Sequence, residues 1–480
     1  MKTSATRPDA LYLALDQGGH ASRALVFDHP GNLVASDFQP ITTRHPQPDW
    51  VEHDPQALIA SLRRAIANVM RGLGSRAQDV VAAGLATQRS SLACWDKNSG
   101  AALSPVISWQ DRRAHDWLEA FARHRDEIHR ITGLFPSAHH GASKLRWCLD
   151  HLPAVQAARQ DGTLICGPLA SFILFHLLEE RPILADPANA ARTLLWNLQT
   201  RDWDDELLTL FGVPRAALPR CVASRHLFGH LRTEGQVIPL TLTTGDQSAA
   251  LFAFGHPDAE TAYVNMGTGA FVQRIALQRP SCPRLLNSVV FAEKERAVHA
   301  LEGTVNGAAS ALDWAARELG LEDVAPHLPR WLDEAETPPL FLNGVSGLGS
   351  PFWLPGFASR FIGNGEPWEK MVAVAESIVF LLYTNLVELQ TSRAPLQKIV
   401  VSGGLSALDG LCQRLADLSG LPVHRPAECE ATARGTAFLL AGQPRTWPEP
   451  GTTAKFTPTT NPSLAERFQR WQASMPSHNV

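Results

Sequence analysis

The sequence predicts an α/β protein of two domains, and three observations lead to this expectation. The chain has 480 residues, which exceeds what one hydrophobic core usually supports. The stretch LYLALDQGGHASR at residues 11–23 is typical of a strand, a tight glycine loop and the start of a second strand. The pattern recurs in AYVNMGTGAFVQRIAL from Ala262, so the architecture restarts in the second half. We therefore expect one domain over residues 1–255 and another over residues 256–480.

Composition and charge narrow the class of protein. Hydrophobic residues make up 45% of the chain and charged residues 19%, as in an ordinary globular protein with an ample core. The net charge is -4 and the charges are scattered, which argues against nucleic acid or an anionic membrane as the main partner. The seven cysteines include no CxxC pair, which favours reduced thiols and argues against a zinc site. The N-terminus lacks the apolar core of a signal peptide, so we expect a cytoplasmic protein.

Periodicity in the first half predicts a meander of strands, a helix and further buried strands. After Asp54-Pro55, a typical helix start, apolar residues recur at every fourth position from Leu58 to Met70 and predict a helix. VVAAGLAT at 80–87 predicts a buried strand that delivers Gln88, Arg89 and Ser90 at its carboxyl end. Ligands gather at such ends in open α/β sheets, so we expect a site there.

Sequence patterns in the second half also predict helices and strands. They predict a helical stretch over 303–320, a long helix over 368–391, a buried strand over 398–404, a small-residue helix over 431–442, a loose tail to about residue 462 and a short amphipathic C-terminal helix.

The opening loop is the first candidate for chemistry. Gly18 and Gly19 lack a Cβ, so backbone N–H groups there can approach an anion such as phosphate. Asp16 at the strand end could then hold a divalent cation, because Mg²⁺ prefers carboxylate and water oxygens. The same letters also occur in ordinary hairpins, and the loop alone does not decide between the two interpretations.

Ten motifs in order across the chain carry a resemblance to a known family. They are LDQGGHASRA, WVEHDP, ATQRSSLACWDK, SWQDRR, the pair DPANAART and RDWDDELL, TTGDQSAALF, MGTGAF, ALEG, GLGSPFW and VVSGG. In these motifs the chain resembles the FGGY carbohydrate kinases of the actin-like ATPase superfamily, and among them the glycerol kinases. The resemblance implies two actin-like (ribonuclease H-like) domains with a cleft between them. It also implies ATP and Mg²⁺ as cofactors and a small polyol or sugar as the phosphate acceptor.

The resemblance also implies residue roles. Asp246 corresponds to the general base, and Asp16 and Asp246 to the Mg²⁺ ligands. The positions matching the nucleotide site are Asp16, Gln17, Gly18, Gly19, His20, Arg23, Gly267, Thr268, Asp313, Gly403, Gly404 and Leu408. The positions matching the substrate site are Arg89, Ser90, Trp109, His139, Asp246, Gln247 and Phe271.

Several positions depart from the glycerol kinase pattern. Ser90 stands where that pattern has an acid, and His139 where it has a tyrosine. Losing a carboxylate and a phenol should change which alcohol fits, so a larger polyol, a ketose or an aldose fits the sequence as well as glycerol. Gly19 and His20 replace a pair of threonines in the phosphate loop. On the nucleoside side, Leu408 and Asp313 replace an asparagine and a glutamine.

These departures leave three interpretations. The first is an active ATP-dependent kinase for a small polyol or sugar. The second is a catalytically weak paralogue that binds a sugar or a nucleotide as a sensor. The third is an actin-like phosphohydrolase, which does not account for the sugar-site motifs. The resemblance alone implies a homodimer or a tetramer.

Overall fold

The computed structural model describes residues 9–276, 282–293, 296–390, 394–427, 430–448 and 451–476. The chain packs as two compact units. The first unit comprises Met1–Pro257, Ser288–His299 and Glu430–Glu449, and the second comprises Asp258–Asn287, Ala300–Cys429 and Pro450–Val480. Cys429 lies outside the described residues, and the other six cysteines are free thiols.

A six-stranded sheet is the centre of the first unit. Its strands lie in the order Arg225–Thr233, Gln236–Gly245, Val80–Thr87, Leu11–Gln17, Ala21–Asp28 and Leu33–Pro40. The last three form an antiparallel meander, as predicted. The strand Val80–Thr87 also lies where the sequence predicted it, between two parallel neighbours.

The central strands are buried because helices cover both faces of this sheet. The predicted helix occurs as Pro55–Leu73, with Asp54 as its N-cap, and its apolar face joins the core with Leu11, Leu13 and Leu15. The helix Ala431–Leu440 also packs on the sheet, so closely that a Cβ at Gly84 would lie 3.0 Å from Thr436. Strands enclosed in this way need to be apolar on both faces.

Smaller elements complete the first unit. A five-stranded sheet has the order Thr43–Arg44, Glu52–His53, Val106–Ile107, Leu92–Asp96 and Leu164–Pro168. Two short pairs join Leu184–Ala185 with Arg220–Cys221 and Trp196–Asn197 with Asp202–Trp203. The other α-helices are Arg125–Thr132, Gly141–His151, Pro153–Gln160, Leu169–Leu177, Pro187–Ala190, Asp205–Phe211 and Asp246–Ala250. Short 3-10 helices are Gly74–Asp79, Asp116–His124, Ala191–Thr193 and Arg215–Ala217.

The second large sheet has seven strands. Their order is Leu286–Ala292, Ala297–Val305, Ala270–Ala276, Thr261–Met266, Lys398–Ser402, Val423–Pro426 and Thr452–Phe456. A short pair joins Leu340–Leu342 with Arg360–Ile362. The helices of this half are Ala309–Glu318, Leu328–Glu334, Pro367–Gln390, Asp409–Ser419 and Pro462–Ser474, with a 3-10 helix at Gly404–Ala407.

The helix predicted over 303–320 is wrong at its start. Residues up to Val305 belong to the buried strand Ala297–Val305, and the helix covers only Ala309–Glu318. The small residue at position 303 reflects close packing, because a Cβ at Gly303 would lie 2.4 Å from Oδ1 of Asn385. Position 303 is a glycine because Asn385 of the helix Pro367–Gln390 packs against the strand there, and not because the segment is helical.

The loose tail predicted before residue 462 is also wrong in part. Thr452–Phe456 forms an edge strand that pairs antiparallel with Val423–Pro426. Its threonines suit a strand, but the partner lies about 30 residues earlier, and local periodicity does not reveal such a pairing.

The helix Pro367–Gln390 is long and apolar enough to cross a membrane by length and composition alone. Its most apolar part is 89% buried inside the fold, as in the core helix of a globular domain. Of the two acids buried in this helix, Glu376 and Glu388, Glu376 is the more deeply buried at 1% exposure. Arg414 approaches Glu376 at 3.1 Å and Arg467 at 2.7 Å, so the carboxylate joins three helices.

We expect Glu376→Ala to destabilise the second unit by about 3–5 kcal/mol, because it leaves two largely buried guanidinium groups without their shared carboxylate. Chemical denaturation of the purified protein measures this. The matched control is Glu466→Ala, an exposed acid on a neighbouring helix, which should change stability by less than about 0.5 kcal/mol. Equal losses in both variants would contradict the role of the buried triad.

Candidate active site

Three parallel strands of the first unit end side by side. Gln17 at the end of the first strand pairs in register with Thr87, and Thr87 pairs in register with Gly245. The polar residues at these strand ends therefore lie at one edge of the sheet, which is where ligands bind in open α/β folds. This edge brings together the regions of Asp16, Arg89 and Asp246.

Asp16 is a buried carboxylate, 4% exposed. Arg23 on the adjacent strand donates from Nη1 to its Oδ2 at 3.1 Å, and Arg23 is itself 3.6 Å from Glu430. Burial raises the pKa of Asp16 to about 7; Arg23 opposes this rise, and the negative charges of Asp246 and Glu430 add to it. The charge of Asp246 is thus close enough to affect the ionisation of Asp16.

The backbone of the first glycine loop does not require glycine at positions 18 and 19. Neither Gly18 nor Gly19 has a positive φ, and the nearest atoms to an added Cβ would lie at 3.6 and 3.8 Å. Gln17 is buried and fixes the loop from inside, accepting from Ser22 at 2.7 Å and donating to the Gly18 carbonyl at 3.1 Å. His20 is exposed. A side chain at position 18 or 19 is therefore compatible with the backbone of the loop.

Asp246 begins the five-residue helix Asp246–Ala250. Its Oδ1 accepts from the backbone N–H of Gln247 at 2.7 Å. The preceding Gly245 lies against the side chain of Arg89, so closely that a Cβ would be 2.5 Å from Cγ of Arg89. The backbone before Asp246 and the buried Arg89 therefore pack directly on each other.

Ser90, Trp109 and His139 come from three separate segments and meet around Lys144. The Nζ of Lys144 donates to the carbonyls of Ser90 at 3.2 Å, Trp109 at 3.5 Å and His139 at 2.8 Å. Ser90 has a positive φ of 65°, a strained conformation for serine. Burial lowers the pKa of Lys144 to about 7, although Asp111 opposes the change.

Both ring nitrogens of His139 are occupied within the protein. Nδ1 lies 3.2 Å from the carbonyl of Trp109, which can only accept, and Nε2 lies 3.1 Å from Nη2 of Arg112, which can only donate. His139 is therefore the neutral tautomer with the proton on Nδ1. Burial and the cations Arg112 and Lys144 lower its pKa to about 3, which agrees with this assignment.

In the second unit, Gly267 and Thr268 form the turn between Thr261–Met266 and Ala270–Ala276. The Thr268 carbonyl accepts from Ser310 N at 3.1 Å at the start of the helix Ala309–Glu318. The Thr268 side chain is exposed and makes no hydrogen bond to another described residue. Phe271 is half-buried on the strand that follows.

Gly403 and Gly404 lie beside that turn. The strand Lys398–Ser402, which precedes them, is parallel to Thr261–Met266, with Ser402 opposite Asn265. Gly403 has a φ of 87°, and a Cβ there would lie 2.6 Å from the Met266 carbonyl, so glycine is required. Gly404 is open.

The two predicted positions on the nucleoside side differ in environment. Leu408 is half-buried and packs against the core of the second unit. Asp313 is exposed on the helix Ala309–Glu318.

Sequence reasoning missed several residues that organise the site. Asn189 links two strand ends, accepting from Thr87 at 3.2 Å and donating to the Thr244 carbonyl at 3.0 Å. Its motif, DPANAART, was visible, but the role of the asparagine was not. Lys144 is a charged residue on the buried face of the helix Gly141–His151, beside Leu145, Cys148 and Leu149, and that spacing is a signal in the sequence. Glu430 carries no such signal in the sequence.

The residues present fit a hydrated Mg²⁺. Within the described parts of the chain, no group of three or more His, Cys, Asp or Glu side chains is arranged to hold a metal ion. Asp16 and Asp246 offer two neighbouring carboxylates, and burial, with the negative charge of Asp246 adding to it, raises the pKa of Asp16. Mg²⁺ commonly binds through one or two carboxylates, with water and phosphate completing its shell.

Comparison with known proteins identifies the family. The model of the N-terminal domain of the FGGY family of carbohydrate kinases matches residues 11–253, and that of the C-terminal domain matches residues 262–442. A glycerol kinase from Limosilactobacillus reuteri (strain DSM 20016) is 30% identical over 484 residues, which cover 96% of this chain and 97% of the relative.

Solved structures share the fold. Plasmodium falciparum glycerol kinase with ADP matches with a TM-score of 0.85 at 22% identity, covering 97% of each chain. Xylulose kinase from Rhodospirillum rubrum matches with a TM-score of 0.83 at 21% identity, also over 97% of each chain. The predicted α/β fold with two actin-like domains is confirmed.

The chain belongs to the FGGY family of carbohydrate kinases, because the two family models together match most of its length. It is close to the glycerol kinases in sequence, and it is a phosphotransferase that acts on an alcohol group.

We expect the stability of the metal-free protein to depend on the ionisation of Asp16. Its pKa is raised above the value of the unfolded chain, so its stabilising contribution is present below about pH 4 and is lost as the pH rises through about 7. Asp16→Asn should therefore be more stable than the wild type at pH 8, and the difference should shrink towards pH 5.

Thermal unfolding in Mg²⁺-free buffer between pH 5 and pH 8 tests this. Asp161→Asn, which neutralises an exposed carboxylate in the same unit, is the control and should follow the wild type. Parallel curves for Asp16→Asn and the wild type would show that Asp16 titrates normally.

Proposed function

We propose that the protein transfers the γ-phosphoryl group of ATP to a hydroxyl of a small polyol or sugar, with Asp246 as the general base. The observation that carries this proposal is the pair of carboxylates, Asp16 and Asp246, at the ends of parallel strands in a chain of a carbohydrate kinase family. The L. reuteri relative is named as a glycerol kinase and the R. rubrum structure as a xylulose kinase. A polyol and a sugar are therefore both suitable candidates.

The proposed chemistry at Asp246 is the orientation and deprotonation of the acceptor hydroxyl. Phosphoryl transfer depends mainly on positioning and charge stabilisation, so the base needs only to align the alcohol and take its proton late. The hydrogen bond from Gln247 N holds one oxygen of Asp246 in place. Mg²⁺, held by Asp16 and Asp246, would neutralise phosphate charge when bound.

The proposed division of roles follows the two halves of the sequence. Residues 1–255 would supply the polyol site and the first phosphate loop. Residues 256–480 would supply the nucleotide site, with Gly267 and Thr268 at the phosphates and Gly403 and Gly404 at the nucleoside. Support comes from the exposed Thr268 side chain and from the position of both glycine segments at neighbouring strand ends. The free cysteines support a cytoplasmic location.

A catalytically weak paralogue is the second candidate. The observation that favours it is the nucleotide side, where Leu408 packs against the core and His20 replaces a hydroxyl residue on an exposed loop. Both changes remove groups that could contact ATP.

We expect the protein with Mg-ATP to release ADP in the presence of one member of a panel of polyols and sugars. Asp246→Asn should reduce this rate by at least about 100-fold, because general base catalysis contributes roughly 10²–10⁴-fold. A coupled ADP assay measures the rate, and Asp161→Asn serves as the control. ADP release without an alcohol would indicate a phosphohydrolase, and nucleotide binding without turnover would indicate the weak paralogue.

The first phosphate loop gives a separate prediction. Gly19→Thr should fold normally, because an added Cβ there meets no atom closer than 3.8 Å and the φ of Gly19 is not positive. If the loop faces phosphate, the added hydroxyl supplies a donor, and the KM for ATP should fall severalfold. Thermal unfolding checks the fold and steady-state kinetics check the KM. An unchanged KM in a folded variant would remove this loop from the proposed nucleotide site.

A further inference from the structure

Two consecutive arginines near the proposed substrate site have very different partners. Arg113 donates to Asp111 at 2.9 and 2.7 Å and to Glu52 at 2.6 Å. Its guanidinium also lies 4.0 Å from the ring of Trp50 and 4.6 Å from that of Trp147. The positive charge of Arg113 is therefore compensated within the protein by two carboxylates.

Arg112 has no such compensation. In the described part of the chain, its guanidinium forms a hydrogen bond only with Nε2 of His139, at 3.1 Å, and no carboxylate lies within ion-pair distance of it. The acid that influences it is Asp49, an exposed residue whose backbone carbonyl accepts from Arg112 N. Buried cations are normally paired, so a half-buried guanidinium with four unused N–H donors is suited to an anionic ligand.

His139 holds this guanidinium but adds no charge. Its Nδ1–H is committed to the Trp109 carbonyl and its Nε2 to Arg112, so neither nitrogen is available to a substrate hydroxyl. We therefore assign His139 the role of a positioning residue for Arg112. This differs from the direct substrate contact that the resemblance implied.

The surroundings of Arg112 add positive charge. Lys144 bonds three carbonyls and has no carboxylate within ion-pair distance among the described residues; Asp111, the acid that acts on it, is bonded to Arg113. Arg89 and Arg192 act on the adjacent buried His140 as further cations. Ser90, where the glycerol kinase pattern has an acid, has its Oγ 3.5 Å from the Arg192 carbonyl. No carboxylate at that position opposes an anionic substrate.

We propose that the alcohol phosphorylated by this protein carries a carboxylate, which Arg112 binds, so that the substrate class is a polyhydroxy acid rather than a neutral polyol. This inference rests on the proposed kinase function and deepens it. Arg112 would form charge-assisted hydrogen bonds with the carboxylate while Asp246 takes the proton of the reacting hydroxyl.

The test compares acid and neutral alcohols of equal chain length: glycerate with glycerol, erythronate with erythritol, and xylonate with xylitol. We expect the wild type to show at least a 10-fold higher kcat/KM for one acid than for its neutral partner. Arg112→Gln should lower kcat/KM for that acid at least 10-fold, mainly through KM, and change that for the neutral alcohol less than 3-fold. Arg112→Lys, which keeps the charge, should recover part of the loss.

Arg123→Gln is the matched control, since it removes an exposed arginine from the same unit and should leave both activities unchanged. A wild-type preference for the neutral alcohols, or an equal loss for acid and neutral alcohols in Arg112→Gln, would overturn the proposal and leave the kinase function intact. If no compound accepts phosphate, calorimetry separates the two ideas. Binding of the acid to the wild type but not to Arg112→Gln would support the anion site without kinase activity, and no binding would refute it.

Discussion

The register of three parallel strands is the constraint on which the site depends. Gln17, Thr87 and Gly245 are paired in register, so the chain must deliver the residues around Asp16, Arg89 and Asp246 to one edge of one sheet. The strands are enclosed by helices, and tight contacts such as Gly84 on Thr436 leave them little freedom to shift. The result is a buried carboxylate, Asp16, close to a second carboxylate, at a cost in stability that a bound cation would offset.

The side chain of Lys144 holds together the site residues that the strand register does not position. Ser90, Trp109 and His139 follow different elements, and a single ammonium group, Lys144, bonds a carbonyl of each. This explains how Ser90 keeps its strained φ of 65°. It also means that many polar groups of the site are already bonded to one another. Recognition of a substrate then depends on the donors that remain unused, and Arg112 has four of them among the described residues.

Local periodicity was enough to predict much of the fold. The helix Pro55–Leu73 and the strand Val80–Thr87 lie where their patterns placed them, because each buries a regular apolar face. The start of the predicted helix at Gly303 and the tail before residue 462 failed because both are set by contacts distant in sequence. The site likewise combines features that local motifs indicate with features that depend on contacts distant in sequence. The motif order indicated that Asp16 and Asp246 belong to one site, but the tautomer of His139 and the three bonds of Lys144 depend on side chains that meet only in the folded chain.

The departures from the glycerol kinase pattern also fall into two physical groups. The fold constrains Gly19, His20 and Asp313 little, because an added Cβ at Gly19 would make only an ordinary contact at 3.8 Å and the other two side chains are exposed. Such positions can vary without a cost in folding. His139 is different, because its ring nitrogens are bonded to Arg112 and to the Trp109 carbonyl. Replacing this ring requires both partners to change their bonds as well. A substitution at position 139 is therefore coupled to its neighbours, whereas on the phosphate side each substitution stands alone.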